Sequence, residues 1–260
     1  MTKLFGSSGI RGVYGGKITP ELMLSVGKAV GSYLKSVNPV SGSRNPDAGH
    51  LTSNKSILLA RDTRLTSQIL ENAFASGIES TGLSVARAGI APTPALAFAV
   101  RKLGMQTGAI ITASHNPAEY NGIKLWQADS SAYTPDIEGK IEEIVNHVPK
   151  SISSQVPWKD IGQSGQIDII KDYTKVITEA VEVKEKHKIT LDCGHGAACA
   201  VSPELLSQFG AVSKIFSKPD GAFPGRKSEP CEENLGELKK LVVDSKAEVG
   251  FAHDGDADRI

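Results

Sequence analysis

The chain has 260 residues, 40% of them apolar and 22% charged, a balance expected of a globular protein with one large domain or two of ordinary size. Lys plus Arg number 29 and Asp plus Glu also 29, giving no net charge. That excludes the broad basic field of a nucleic-acid binder or a membrane-surface protein, so any bound phosphate must be held by local groups. No window approaches the roughly 18 consecutive apolar residues of a membrane span.

The first residues, Met1 to Gly9, lack an apolar signal core. The three cysteines, Cys193, Cys199 and Cys231, show no C-x-x-C spacing. Both features lead us to expect a cytoplasmic protein with neither a disulfide framework nor a zinc site.

In chain order, Thr19-Pro20 offers an N-cap and an N1 proline for a helix carrying Leu22, Leu24, Val26, Val30 and Leu34. Residues 36–55 are rich in Asn, Ser, Gly, Pro and Asp, a composition that favours disorder. Ser56 to Ala60 reads as a buried strand. A helix through Ile69, Leu70, Phe74 and Ile78 follows, with Thr66 and Ser67 as candidate caps. Strands are expected at 83–88, 108–112 and 122–126, with helices at 93–103 and 135–148.

Between 149 and 166 the periodicity disappears, and we place a domain boundary there, dividing the chain into 1–150 and 151–260. A helix is expected from 169 to 186, then strands at 189–192, 212–216 and 248–252 with helices between them. The alternation of strands and helices is that of an α/β protein.

Four constellations carry chemistry. Thr112-Ala-Ser-His-Asn-Pro117 follows an apolar strand, so Ser114 stands at a strand's carboxyl end, where open α/β sheets place their sites. A serine on a tight turn beside His115 can serve as nucleophile or phosphoryl carrier. No G-x-S-x-G elbow surrounds it, which argues against a serine hydrolase.

Asp254-Gly-Asp-Ala-Asp-Arg259 follows the strand ending at Ala252. Its carboxylates, Asp254, Asp256 and Asp258, alternate with small residues that let the backbone curl. Crowded together they repel, and a hard cation such as Mg2+ removes that cost. An EF-hand would need glycine where Arg259 stands, and a haloacid-dehalogenase site would have Thr or Val in place of Asp258.

Phe5-Gly-Ser-Ser-Gly-Ile-Arg-Gly12 offers backbone amides around Ser8 for an anion and the guanidinium of Arg11 for phosphate. Asn121-Gly-Ile-Lys124 places a lysine that can position charge or move a proton.

Together, FGSSGIRG, ARDTR at 60–64, APTP at 91–94, TASHNP, EYNGIK at 119–124 and HDGDADR at 253–259 resemble, in order, the α-D-phosphohexomutases: phosphoglucomutase, phosphomannomutase and phosphoglucosamine mutase. DGAFPGRKSEP at 220–230 resembles archaeal-type members. The resemblance implies two successive three-layer α/β/α domains with mixed, mostly parallel sheets, the first two of the family's four. The third and fourth domains, with their sugar-reading and phosphate-clamping loops, would be partners outside this chain.

It further implies an enzyme interconverting hexose 1-phosphate and hexose 6-phosphate through a phosphoserine at Ser114 and a hexose 1,6-bisphosphate. Phosphoglucomutase/phosphomannomutase is the expected activity; phosphoglucosamine mutase and a non-catalytic metal- and phosphosugar-binding module are the alternatives. Mg2+ would be held by Asp254, Asp256, Asp258 and the phosphate on Ser114. Arg11 and Arg259 would stabilise the moving phosphoryl group, His115 would support the serine loop, and Lys124 would be the general acid or base. Ala60 stands where the family usually has glycine.

Overall fold

The computed structural model describes residues 3–6, 8–37, 56–147 and 156–260. Most of the expected disordered stretch, 38–55, the last residue of the expected helix 135–148, and the start of the expected boundary, 149–155, lie outside the described residues. Among those described, no helix is long and apolar enough to cross a membrane.

The first sheet is built from β1 (Ile10–Val13), β2 (Ser56–Arg61), β3 (Ser84–Ile90), β4 (Thr107–Ile111), β5 (Tyr120–Gln127) and β6 (Ser164–Gln166). They lie in the order β1-β5-β4-β2-β3-β6. β4, β2, β3 and β6 run parallel, while β5 is antiparallel to both β4 and β1.

Both faces of this sheet are covered, so its central strands are apolar on both sides. Ile57, Leu59, Ala109 and Ile111 pack beneath α1 (Pro20–Val37), α2 (Ser67–Glu79) and α4 (Pro135–His147). Leu58, Ala60 and Ile110 face α3 (Thr93–Lys102), with Ile170 and Tyr173 of α5 (Ile170–Ala180) alongside. Each fully buried Leu, Ile or Phe here contributes about 1.5–3 kcal/mol.

The Thr19 hydroxyl accepts the Leu22 N–H at 3.2 Å, so the expected cap forms. Thr66 makes no corresponding cap bond on α2. α1 and α2 meet through Gly27 and Gly77, where a Cβ on either would run into the other helix's backbone.

The second sheet is wholly parallel, in the order β8-β7-β9: β7 (His187–Asp192), β8 (Gly210–Ile215) and β9 (Val249–Ala252). Leu191, Cys193, Val212, Phe251 and Leu206 of α6 (Ser202–Ser207) form its small core, and α7 (Gly236–Ser245) inserts Leu238 against the other face. The fold is therefore α/β, with a mixed, mostly parallel first sheet and a parallel second one.

Three expectations need correcting. β6, within the stretch 149–166 expected to lack periodic structure, is a strand at the edge of the first sheet, pairing with β3. α5 stops at Ala180 rather than Lys186, because Val181 turns extended and finds no core to cover it. β1 was not expected at all; it adds to the antiparallel edge and puts Arg11 opposite Gly122.

Candidate active site

The carboxyl ends of β4 and β9 bring the two main motifs together. The turn after β4 puts Ser114 in the left-handed region, at φ 53°. An L residue pays about 1–2 kcal/mol for that conformation, so the surroundings must hold it. They do so through a chain of hydrogen bonds. The Ser114 N–H donates to Thr112 Oγ1 at 2.8 Å, and the Thr112 hydroxyl donates to Asp62 Oδ2 at 2.7 Å. Asp62 also accepts the Ser67 hydroxyl at 2.6 Å and the Arg64 N–H at 3.0 Å.

Arg64 completes the loop's support. A guanidinium has five N–H groups, and here each has an acceptor. Nε donates to Asp62 at 3.0 Å, Nη1 to the carbonyls of Pro117 and Tyr120, and Nη2 to those of Ser114 (2.8 Å) and Asn116 (2.7 Å). Its side chain is fully buried, and the Phe223 ring of the second unit lies 5.1 Å from its Cζ. The motif containing Asp62 and Arg64 was recognisable in the sequence, but neither residue's task was.

From the other side, β9 delivers Asp254, Asp256 and Asp258. Ala257 is left-handed, at φ 55°, and its N–H closes back on the Asp254 carbonyl at 3.2 Å. That curl brings an oxygen of each carboxylate within 4.8 Å of the others. Asp254 and Asp256 are buried, while Asp258 lies on the exposed rim. The Ser114 hydroxyl donates to Asp254 Oδ2 at 2.7 Å, joining residues 140 positions apart.

Lys124 on β5 sits between two carboxylates, 2.7 Å from Asp256 Oδ2 and 2.6 Å from Asp258 Oδ2. Thr93, at the start of α3, donates its hydroxyl to Asp256 Oδ2 at 2.6 Å and its N–H to the Asp256 carbonyl at 2.9 Å. The APTP motif gave no hint of this contact, which depends on the two sheets being docked.

The electrostatics are uneven. Burial, reinforced by Asp256, pushes the Asp254 carboxyl up to about 7. Burial also opposes ionisation of Asp256, but Lys124 outweighs it and holds that group below the usual carboxylate range. Asp256 Oδ1 is buried without a hydrogen-bond partner. An orphan carboxylate oxygen within an all-oxygen donor set fits a hard divalent cation.

Arg11 is half-buried, 3.4 Å from Asn116 Oδ1, and burial pulls its pKa down against the fields of Asp256 and Asp258. The His115 ring nitrogen Nδ1 lies 3.5 Å from Ser114 Oγ; burial first, then Arg259, lowers its pKa. The Arg259 N–H donates to Asp254 Oδ1 at 3.3 Å, while its exposed guanidinium lies 3.8 Å from Glu229. Ser8 is exposed in a turn, and among the described residues no hydrogen bond ties it to this cluster. The structure thus gathers Ser114, His115, Lys124, Arg11, Arg259 and the three aspartates around one point, but not Ser8.

This arrangement can carry a phosphoryl group on an oxygen beside a cation and several positive side chains. The chain is also similar to known proteins. Residues 2–151 match the family model for phosphoglucomutase/phosphomannomutase α/β/α domain I, and residues 171–260 match that for domain II.

Among curated relatives, a probable phosphoglucosamine mutase of Methanothermobacter thermautotrophicus is 42% identical over 99% of this chain and 53% of its own length. One from Thermococcus gammatolerans is 41% identical over 100% of the chain and 53% of its own length. The chain thus spans about half the length of these relatives.

The crystal structure of a phosphoglucomutase/phosphomannomutase family protein from Burkholderia thailandensis superposes with a TM-score of 0.81 at 27% identity, over 98% of this chain and 53% of that one. A putative phosphomannomutase from Thermus thermophilus gives 0.82 at 26% identity, over 99% and 56%.

Proposed function

The chain belongs to the phosphoglucomutase/phosphomannomutase family, and from that premise we propose that it carries the phosphoserine and cation sites of a phosphohexomutase acting on a hexosamine phosphate. The observation that carries the reading is the 2.7 Å hydrogen bond between the Ser114 hydroxyl and Asp254, within a cluster of three aspartates. The expectation of phosphoglucomutase/phosphomannomutase activity gives way to the alternative, because relatives 41–42% identical over almost the whole chain are named probable phosphoglucosamine mutases.

In this reading Ser114 Oγ carries a phosphoryl group and passes it to a hydroxyl of the sugar monophosphate. The sugar 1,6-bisphosphate formed turns over in the site, and its other phosphoryl group returns to Ser114. Asp254, Asp256 and Asp258 would hold Mg2+, which when bound would neutralise charge on the transferring group. Lys124, held between Asp256 and Asp258, holds or moves the proton of the attacking hydroxyl. Arg11 and Arg259 offer donors to the equatorial oxygens, and His115, neutral near pH 7, steadies the serine. A cytoplasmic location belongs to the same proposal, supported by the free thiols of Cys193, Cys199 and Cys231. The sugar's recognition would fall to the family's third and fourth domains.

The test is turnover by the chain joined to those two domains. Glucosamine 6-phosphate should be converted to the 1-phosphate faster than glucose or mannose phosphates are, and Ser114→Ala should abolish conversion. If mass spectrometry finds no phosphate on Ser114 after incubation with Mg2+ and a hexosamine 1,6-bisphosphate, the protein is the non-catalytic binding module instead.

A further inference from the structure

The serine loop reaches the aspartate loop through the Ser114 hydroxyl, which donates to Asp254. That bond uses the hydroxyl proton. A phosphoryl group on Oγ replaces the proton, so this link is lost in the form that the proposed function requires. A cation shared by the phosphate and the aspartates would join the loops only while it is bound, and a contact that bypasses Oγ would hold them in register throughout.

The Ser114 carbonyl, turned aside by the left-handed backbone, accepts from two donors. One is Arg64 of the first unit at 2.8 Å; the other is the Ser228 hydroxyl of the second unit at 3.0 Å. Ser228 is buried. Its own segment is clamped by Arg226, whose Nε donates to Asp192 at 2.6 Å. Arg226 Nη1 donates to the carbonyls of Lys227 (2.9 Å) and Ser228 (3.3 Å), and Nη2 to that of His253 (2.6 Å). His253 immediately precedes Asp254, so one guanidinium grips both the Ser228 segment and the root of the aspartate loop. Gly255 permits the approach: a Cβ there would stand 2.6 Å from the Ser114 carbonyl oxygen and 2.7 Å from Ser228 Oγ.

We propose that Ser228 is a positioning residue for Ser114, tying the serine loop to the aspartate loop through a backbone carbonyl that phosphorylation leaves untouched. The path runs from Asp192 through Arg226 to Ser228, then to the Ser114 carbonyl, which Arg64 holds from the opposite side. The proposal rests on Ser114 being the phosphoryl carrier, and assigns to Ser228 the task of keeping that group aimed at the aspartates after the Oγ–H bond is gone.

Ser228→Ala removes one hydroxyl without adding bulk. Hydrogen exchange on this chain should show peptide 112–117 opening about tenfold more often in Ser114→Ala/Ser228→Ala than in Ser114→Ala alone. β2 and β7 should be unaffected. In the chain joined to the remaining domains, Ser228→Ala should lower kcat about tenfold and leave KM within about twofold. Unchanged exchange at 112–117, a rise shared equally by β2 and β7, or an unchanged kcat would each overturn the assignment. If the complete wild-type enzyme turns over no sugar phosphate, the proposed function fails while the exchange comparison still decides whether Ser228 holds the loop.

Discussion

Around Ser114 the protein supplies its own partners: Thr112 takes the serine N–H, Arg64 and Ser228 satisfy its carbonyl, and Asp62 is ringed by donors. Around Asp256 it does not. Lys124 is shared between two carboxylates, one oxygen has no partner, and Asp254 is driven towards its protonated form. Both loops sit at strand ends, and both contain a left-handed residue that is not glycine. One is finished by folding alone, whereas the other, on the proposed reading, would be finished by a cation. A phosphoryl carrier must be aimed before its substrate comes, while a cation site keeps its affinity by leaving charge uncompensated.

The contrast is broken most severely by removing Arg64. Arg64→Ala leaves Asp62 buried without its counter-ion and strips donors from four carbonyls, so chemical denaturation should show a loss of about 3–5 kcal/mol. A loss below about 1 kcal/mol would mean that the serine loop is not held as described.

A pH series sharpens the other side. The Asp254 carboxyl, raised from its ordinary 3.8 to about 7, is stabler protonated in the folded cation-free protein than in the unfolded chain. Its contribution to stability is therefore fully present below about pH 4 and lost as pH rises through about 7. Mg2+, bound there as proposed, would have to displace that proton, so calorimetry should find affinity falling about tenfold per pH unit below pH 7. Affinity that stays flat there would show that Asp254 is already ionised without the cation.

The smallest effect is expected at the rim. Arg259 and Glu229 are about half exposed at 3.8 Å, so Glu229→Ala should change stability by less than about 0.5 kcal/mol. A larger change in thermal unfolding would extend the buried network out to the surface.

How much of this was legible in the sequence depended on what each residue leans on. The strands of the first core could be read because Ile57 to Ala60 and Ala109 to Ile111 are apolar on both faces, a local pattern. β1 and β6 escaped because one is short and interrupted by glycine, and the other, Ser-Gly-Gln, carries no apolar side chain and is defined only by pairing with β3. Ser114 and the aspartates stood out because unusual residue types cluster within a few positions. Thr93, Arg64, Arg226 and Ser228 did not, since an isolated polar residue acquires its task only when the two sheets dock.

The glycine crossing of α1 and α2 reaches the site by a mechanical route. With Gly27 set against the backbone near Phe74, and Gly77 against that near Leu24, no compressible side chains lie between the helices at that point. A displacement of one must therefore be followed by the other as a rigid rod. α2 begins at Ser67, whose hydroxyl is bonded to Asp62 and which also accepts from the Asn121 amide on β5. A single methyl added at Gly27, far from any phosphate, would thus be transmitted along α2 to the carboxylate that orients the serine turn.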